Sequence, residues 1–445
     1  MTHAASRPRV LAPALVHGFG AAVAMWTFGF IARFPGIEAP PIAVAVVMGL
    51  TQVAAGWAVG QSVRGSAVRV GLLAGLITGL VNLLILGSLL SNPEERNSLR
   101  QEWLLALGAW LLAFPALAAA GAAMGRRGAQ PPAAEPDWLS RFAVVAAASV
   151  LPLLTIGGLV TSKQAGLAVP DWPNSFGYNM FLLPLRHMEG GVYFEHGHRL
   201  FGTLVGLTTL VLTGFTLATD HRRGAKALAV VALVAVIAQG ILGALRVTGT
   251  FTLSQTGTTP LLSLAFVHGI TGQIYFAFMC VLACILSPRW TRPGGPVPAL
   301  PAVRPGAPRT ISAALVGLLL VQLCLGAAAR HFDKSAGYLH IVSTHAVNAF
   351  IVLTLAIATA VRAARALEDE PALAKTGKAI MHTAGLQILL GGAALGAVLM
   401  YRHRDTPHSL DVLFTTAHQA TGALLLALAA MTAAWARRLV APAGA

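Results

Sequence analysis

Twelve runs of about 20 apolar residues, each long enough to cross the hydrocarbon core of a bilayer, limit what this chain can fold into. They fall at roughly 10–32, 41–62, 70–90, 103–124, 142–161, 196–219, 227–246, 262–286, 311–329, 341–361, 379–400 and 412–435. In hydrocarbon every backbone N–H and C=O must be satisfied within the segment or in a closed barrel, so runs of this length are helices. The expected fold class is an all-α polytopic membrane protein with about twelve transmembrane helices. The first run has no small-residue cleavage site after it and reads as a retained span rather than a signal peptide.

The 445 residues carry a formal charge of +15, yet only 11% are charged and 56% are hydrophobic. A soluble domain has about 25% charged residues. The balance excludes a soluble enzyme and a disordered chain, and the basic excess needs no nucleic-acid partner. Sorted by the alternating segments, 20 of the 31 Lys and Arg fall on one side, 10 on the other, and Arg199 lies just inside a span. Basic residues concentrate on cytoplasmic segments. The expectation is a multi-pass protein of the cytoplasmic (inner) membrane with both termini in the cytoplasm and lipid as its surroundings. Pro-rich stretches at 126–141 and 287–310 read as semi-extended cytoplasmic linkers. They divide the chain into a four-helix module (1–125), a second (142–286) and a third (311–436).

The second and third modules repeat one another. His268-Gly-Ile-Thr271-Gly272 in the eighth span matches His418-Gln-Ala-Thr421-Gly422 in the twelfth, and His198 in the sixth matches His345 in the tenth. A further signal, Gln-x-x-x-Gly, recurs as Gln239…Gly243, Gln322…Gly326 and Gln387…Gly391. An imidazole inside a membrane helix marks a functional site by default. Four of them, two per bundle, suit the cofactor sites that bundles build between facing helices, and imidazole is a standard axial ligand of haem iron. The residues four places on (Gly202, Gly272, Ala349, Gly422) are small and sit above each histidine, leaving a flat slot for a porphyrin; close helix packing also accounts for them. Zinc would want three or four converging ligands, and carboxylates are few. Two bis-histidine haem sites are the expectation. His17, a lone histidine in the first span, reads as a satisfied core or interface residue.

The halves differ in one respect. Glu195 lies three residues before His198, on the same helix face, whereas Val342 occupies the equivalent place before His345. Glu195 reads either as an interfacial charge at a helix N-terminus or as a proton-handling group beside a bound porphyrin. Arg199 could neutralise it or clamp a propionate, and His196 points elsewhere and reads as interfacial. The segment 162–195, with Pro170-Asp171-Trp172-Pro173, leads into this site and is a candidate lid.

The sequences Gly157-Gly158-Leu-Val-Thr161-Ser162, Gly166-Leu-Ala-Val-Pro170-Asp171-Trp172-Pro173 and Glu195-x-x-His198-Arg199 resemble the haem A synthase family, as does the order of His268, His345 and His418. The resemblance covers about 140–436. It implies a membrane oxidoreductase that converts the C8 methyl of haem O to a formyl group, giving haem A for terminal cytochrome oxidases. It implies two pseudo-symmetric four-helix bundles, haem b as a held cofactor and haem O as substrate, delivered by a haem O synthase. By resemblance His198 and His268 flank the substrate haem with Glu195 as the catalytic carboxylate, and His345 and His418 ligate haem b. The electron donor is left open.

Two features depart from that family. Many members carry a cysteine pair around the Pro-Asp-Trp-Pro motif; here Val169 and Ser175 stand nearby, and the three cysteines (Cys280, Cys284, Cys324) lie in apolar runs. Residues 1–125 have no counterpart in an eight-span unit and lack the paired Asp-rich motif of a prenyltransferase. A di-haem b electron-transfer protein without its own substrate is the alternative reading. A transporter is disfavoured, because the polar residues cluster at span ends rather than at mid-depth.

Overall fold

A computed structural model describes residues 10–63, 65–92, 94–127, 134–249, 259–297, 306–331, 337–366, 370–401, 403–404 and 406–442. Of the basic residues counted above, Arg7, Arg9, Arg64, Arg304, Lys334 and Arg402 lie outside the described residues, as do Pro131 and Pro132 of the first Pro-rich stretch. The structure is 82% helical, and twelve of its helices are long and apolar enough to cross a membrane. The protein is an all-α polytopic membrane protein. Two compact units are formed, Met1–Pro152 with Val169–Thr219, and Leu153–Ala168 with Asp220–Ala445.

The first unit contains α1 (Leu11–Ala32), α2 (Pro41–Ser62), α3 (Ala67–Leu90), α4 (Trp103–Arg127), the start of α5 (Trp138–Ser162) and α6 (Gly190–Thr219). Between lipid-facing helices no hydrophobic force drives association, so close backbone packing must supply it, and small residues permit that. A methyl group added at Gly56 or Gly60 of α2 would run into the α4 backbone, and one at Gly121 or Gly125 of α4 into the α2 backbone. Two buried polar contacts tie α1 to α3: Trp26 Nε1 donates to Asn82 Oδ1 (2.8 Å), and Thr78 Oγ1 donates to the Gly18 carbonyl (3.0 Å). His17 shares a hydrogen bond with Ser62 Oγ (3.2 Å) and meets the Trp138 ring edge-on.

Helix α6 is held by aromatic packing. Phe30 stacks on Tyr193 (centroids 4.8 Å apart) and meets Phe201 edge-on, Trp26 meets Phe201, and Phe34 meets Phe194. Tyr193 Oη also donates to the Phe30 carbonyl. Aromatic pairs of these geometries contribute about 0.5–1.5 kcal/mol each beyond area burial.

The second unit contains the end of α5, α7 (Arg223–Thr248), α8 (Thr259–Ile285), the short α9 (Pro288–Thr291), α10 (Ala307–His331), α11 (Tyr338–Arg365), α12 (Pro371–Tyr401) and α13 (Ser409–Leu439). Neighbouring α10, α11, α12 and α13 pack in sequence, α13 returns against α10 and α8, and α8 lies on α7. The segment 287–297 is packed rather than semi-extended. Arg438 donates to the carbonyls of Trp290, Arg292 and Gly294, Trp290 meets Trp435, and Val297 bridges to Val440. Its proline-rich backbone has few N–H donors of its own, and one guanidinium serves three of its carbonyls.

The packing of α2 on α4 gives a direct test. Gly121→Leu should destabilise the protein by about 1–3 kcal/mol or more, as overpacking does. Gly108→Leu on the same helix should not, because nothing lies within 4 Å of a Cβ there. Thermal unfolding in detergent would compare them; equal midpoints would show that the α2–α4 approach does not carry the module.

Candidate functional site

In the first unit the loop before α6 folds down onto that helix. Asn174–Ser175 and Tyr178–Asn179 form a two-stranded antiparallel hairpin (β1, β2). Its turn residues Phe176 (φ 55°) and Gly177 (φ 75°) are both left-handed, as a two-residue hairpin turn requires. Asp171 caps the turn, accepting from the Phe176 N–H (2.7 Å) and the Gly177 N–H (2.8 Å). Partial burial pushes the Asp171 carboxyl up, but those two N–H groups and the Arg199 guanidinium outweigh it and hold it below the usual carboxylate range.

Glu195 sits in the second turn of α6 and is 4% exposed. Its Oε1 pairs with Arg199 Nη2 (2.9 Å), and its Oε2 accepts from the Val169 N–H (2.9 Å). Arg199 also donates to the carbonyls of Val169 (2.8 Å), Asp171 (2.6 Å) and Asn174 (3.1 Å). Neutralising Glu195, one of the two roles open to Arg199, is formed here. His196 is fully buried, with Nδ1 hydrogen-bonded to Ser175 Oγ (3.0 Å). This corrects the interfacial reading: the loop covers a face that sequence alone left open. Val169 and Ser175, which stand near the cysteine positions of the resembled family, are both fully buried and bind neighbouring residues of α6. Hydrogen bonds close the loop where a crosslink would otherwise be available.

In the second unit His345 (α11) and His418 (α13) face each other, with ring centroids 6.2 Å apart and planes at 84°. Each ring lies against a glycine of the preceding helix. A Cβ built on Gly326 would stand 2.9 Å from His345 Cε1, and one on Gly391 would stand 2.9 Å from His418 Cε1. The glutamine one turn earlier reaches the same ring: Gln322 Nε2 donates to the His345 carbonyl (3.0 Å) and lies 3.4 Å from His345 Nε2. Gln387 Nε2 lies 3.4 Å from His418 Nε2. Asn348 fixes the Gln322 amide by donating to its Oε1 (2.7 Å). The third Gln-x-x-x-Gly repeat addresses His268 on α8: Gly243 approaches its Cε1, and Gln239 donates to Thr271 Oγ1 (2.6 Å), one turn on. The repeat was visible in the sequence; its use as a bed for each imidazole was not.

The Nδ1 atoms of His345 and His418 are buried without a hydrogen-bond partner among the described residues. Buried polar atoms in a native fold ordinarily find one. Two imidazoles this close, each with a buried nitrogen unpaired among the described residues, are donors of the kind that ligate a metal or haem iron. Among the described residues no three or more His, Cys, Asp and Glu side chains gather as a metal-binding group. His198 lies on α6 of the first unit and His268 on α8 of the second. The space beyond Gly202 is open, whereas Gly422 packs against Gln387. Gly158 lets the end of α5 approach Gln419 and Thr416 of α13, and Ser162 Oγ bonds to Thr415 Oγ1 (3.0 Å).

Fold and site together define a polytopic helical membrane protein with intramembrane imidazoles. Residues 140–338 match the COX15-CtaA family model, cytochrome oxidase assembly protein, and over that stretch the chain is similar to this family. Comparison with curated proteins gives no match. The match takes in Glu195, His198 and His268 and stops before His345 and His418, which stand on the internal repeat and on the paired rings.

The Asp171 turn makes a pH prediction. A carboxyl whose pKa is lowered by folding stabilises the folded loop above the ordinary carboxylate value of about 3.9, and that stabilisation is lost as pH falls through the folded value. Protection of the Phe176 and Gly177 amides from exchange, measured against the intrinsic rate at each pH, should fall on acidification in the native protein. In Asp171→Asn protection should be low already at neutral pH and change little with acid.

Proposed function

We propose that the chain is a haem A synthase-like oxidoreductase that oxidises the C8 methyl of haem O to a formyl group. Residues 142–286 then serve the substrate haem and 311–436 hold haem b. The observation that carries this reading is the difference between the halves. A buried carboxylate stands one turn from His198 under a closed loop, while the paired imidazoles of His345 and His418 have Val342 at the matching place.

Haem b, if held by His345 and His418, would supply one-electron chemistry at its iron. The chain's own contributions are positional and electrostatic. Gly326 and Gly391 give the imidazoles room, and Gln322 and Gln387 set their orientation as outer-shell partners do for metal ligands. Glu195 holds or releases a proton at its carboxyl oxygens beside the substrate, with Arg199 balancing its charge. The loop 169–187 excludes water from that carboxylate. His198 and, on the sequence repeat, His268 are assigned to the substrate haem. Orientation with both termini in the cytoplasm, placement in the inner membrane, haem O received from a haem O synthase, and an electron partner of undefined identity complete the proposal.

The alternative, a di-haem b electron-transfer protein, is favoured by one observation: both oxygens of Glu195 are engaged, as in a structural ion pair. Pigment extraction after supplying haem O separates the two. Formyl-haem product supports the enzyme; haem b permanently bound at both sites with no conversion supports the carrier. His345→Ala or His418→Ala should lose the co-purifying haem. Glu195→Gln should keep it and lose product formation by at least about 100-fold, the usual scale of general acid–base catalysis. A fully active Glu195→Gln would make the carboxylate structural.

A further inference from the structure

The N-terminal four-helix module supplies none of the residues assigned to the reaction proposed above, yet it touches the substrate-side loop and helix at several places. Its α3–α4 connection reaches the hairpin: Asn97 Oδ1 accepts from the Asn179 N–H (2.6 Å), and the Arg96 guanidinium lies over the Tyr178 ring (5.5 Å). Asn97 has φ 59°, a left-handed conformation that asparagine tolerates and that aims its amide at the neighbouring strand. At the last turn of α3, Gly87 leaves room for the Phe181 carbonyl just past the hairpin. On the helix, Tyr193, Gly197 and Phe201 follow at four-residue spacing and so form one stripe of α6. That stripe lies on α1, where a Cβ at Gly197 would meet the Phe30 ring at 2.9 Å. Glu195 and Arg199 form a second stripe, against the loop. His198 and Gly202 form a third.

We propose that the N-terminal module positions the substrate side of the protein: Asn97 and Arg96 hold the hairpin closed over Glu195, and Phe30 sets the rotation of α6 that presents His198. The loop is tied at its base by Arg199, Glu195 and His196 and at its tip by a residue some 80 positions earlier in the chain. The tip contact closes the strap, and the α1 contact fixes the helix it closes on. Asn97, Arg96 and Phe30 are positioning residues, acting through the hairpin and α6. The assignment rests on the proposed haem O reaction for its functional consequence but not for its structural content.

The test uses the full-length protein in lipid nanodiscs. Asn97→Gly keeps the left-handed backbone and removes the acceptor; Asn97→Asp keeps both. Amide hydrogen exchange across 169–187 should rise at least tenfold in Asn97→Gly and stay at the native rate in Asn97→Asp. Haem co-purifying with the second unit should be unchanged in both. With haem O as substrate, Asn97→Gly should raise KM several-fold with kcat within twofold, and Asn97→Asp should restore KM. Native exchange in Asn97→Gly overturns the proposal, as does Asn97→Asp behaving like Asn97→Gly. If the native protein does not convert haem O, the proposed reaction fails, and the exchange comparison alone decides whether the module holds the loop.

Discussion

Arg199 and Glu195 form the interaction on which the first unit's site depends. Placing two charges near hydrocarbon is expensive, and each is tolerated because the other is there and because hydrogen bonds complete the set. The guanidinium takes three loop carbonyls besides the carboxylate, and the carboxylate takes a loop N–H. Neither partner can be removed without stranding the other and freeing the loop. The same pair therefore solves an electrostatic problem and a folding problem: it neutralises charge at the membrane edge and anchors a long irregular segment that has little regular structure of its own.

The second unit meets its problem differently. Among the described residues no ion pair orients His345 or His418; steric fit does it. A glycine on the preceding helix removes the side chain that would otherwise fill the ring's place, and a glutamine one turn earlier supplies a donor beside the ring. Because the two devices are four residues apart on one helix, they share a face. The arrangement recurs at His345 and His418 and, with Thr271 as intermediary, at His268. A duplicated bundle would inherit the bed and the ring together.

The twelve spans were legible because hydrocarbon leaves the backbone no alternative to helices. The paired histidines were legible because polar residues inside apolar runs are rare. What escaped was direction. Helix α6 begins at Gly190, earlier than hydropathy places it, because Glu195, His196 and Arg199 lower the apolar score of a turn that is nonetheless helical. His196 was read as interfacial because nothing in a one-dimensional pattern says that Ser175 folds back over it. Arg199 stayed undecided for the same reason: its acceptors are mostly loop carbonyls, and carbonyls carry no residue identity. The Gln-x-x-x-Gly repeat was seen without its purpose, since the ring it serves lies on the next helix.

The wedge of Phe30 against Gly197 bears on how the chain is assembled. Helix α1 is made before α6, so during synthesis the aromatic surface already stands in the membrane when Tyr193, Gly197 and Phe201 arrive. Covalent connection also keeps its effective concentration high whatever the expression level, an advantage a separate subunit would forgo. A single chain thereby replaces a search among lipids for a docking partner with a sequential, self-templated insertion of fixed one-to-one stoichiometry.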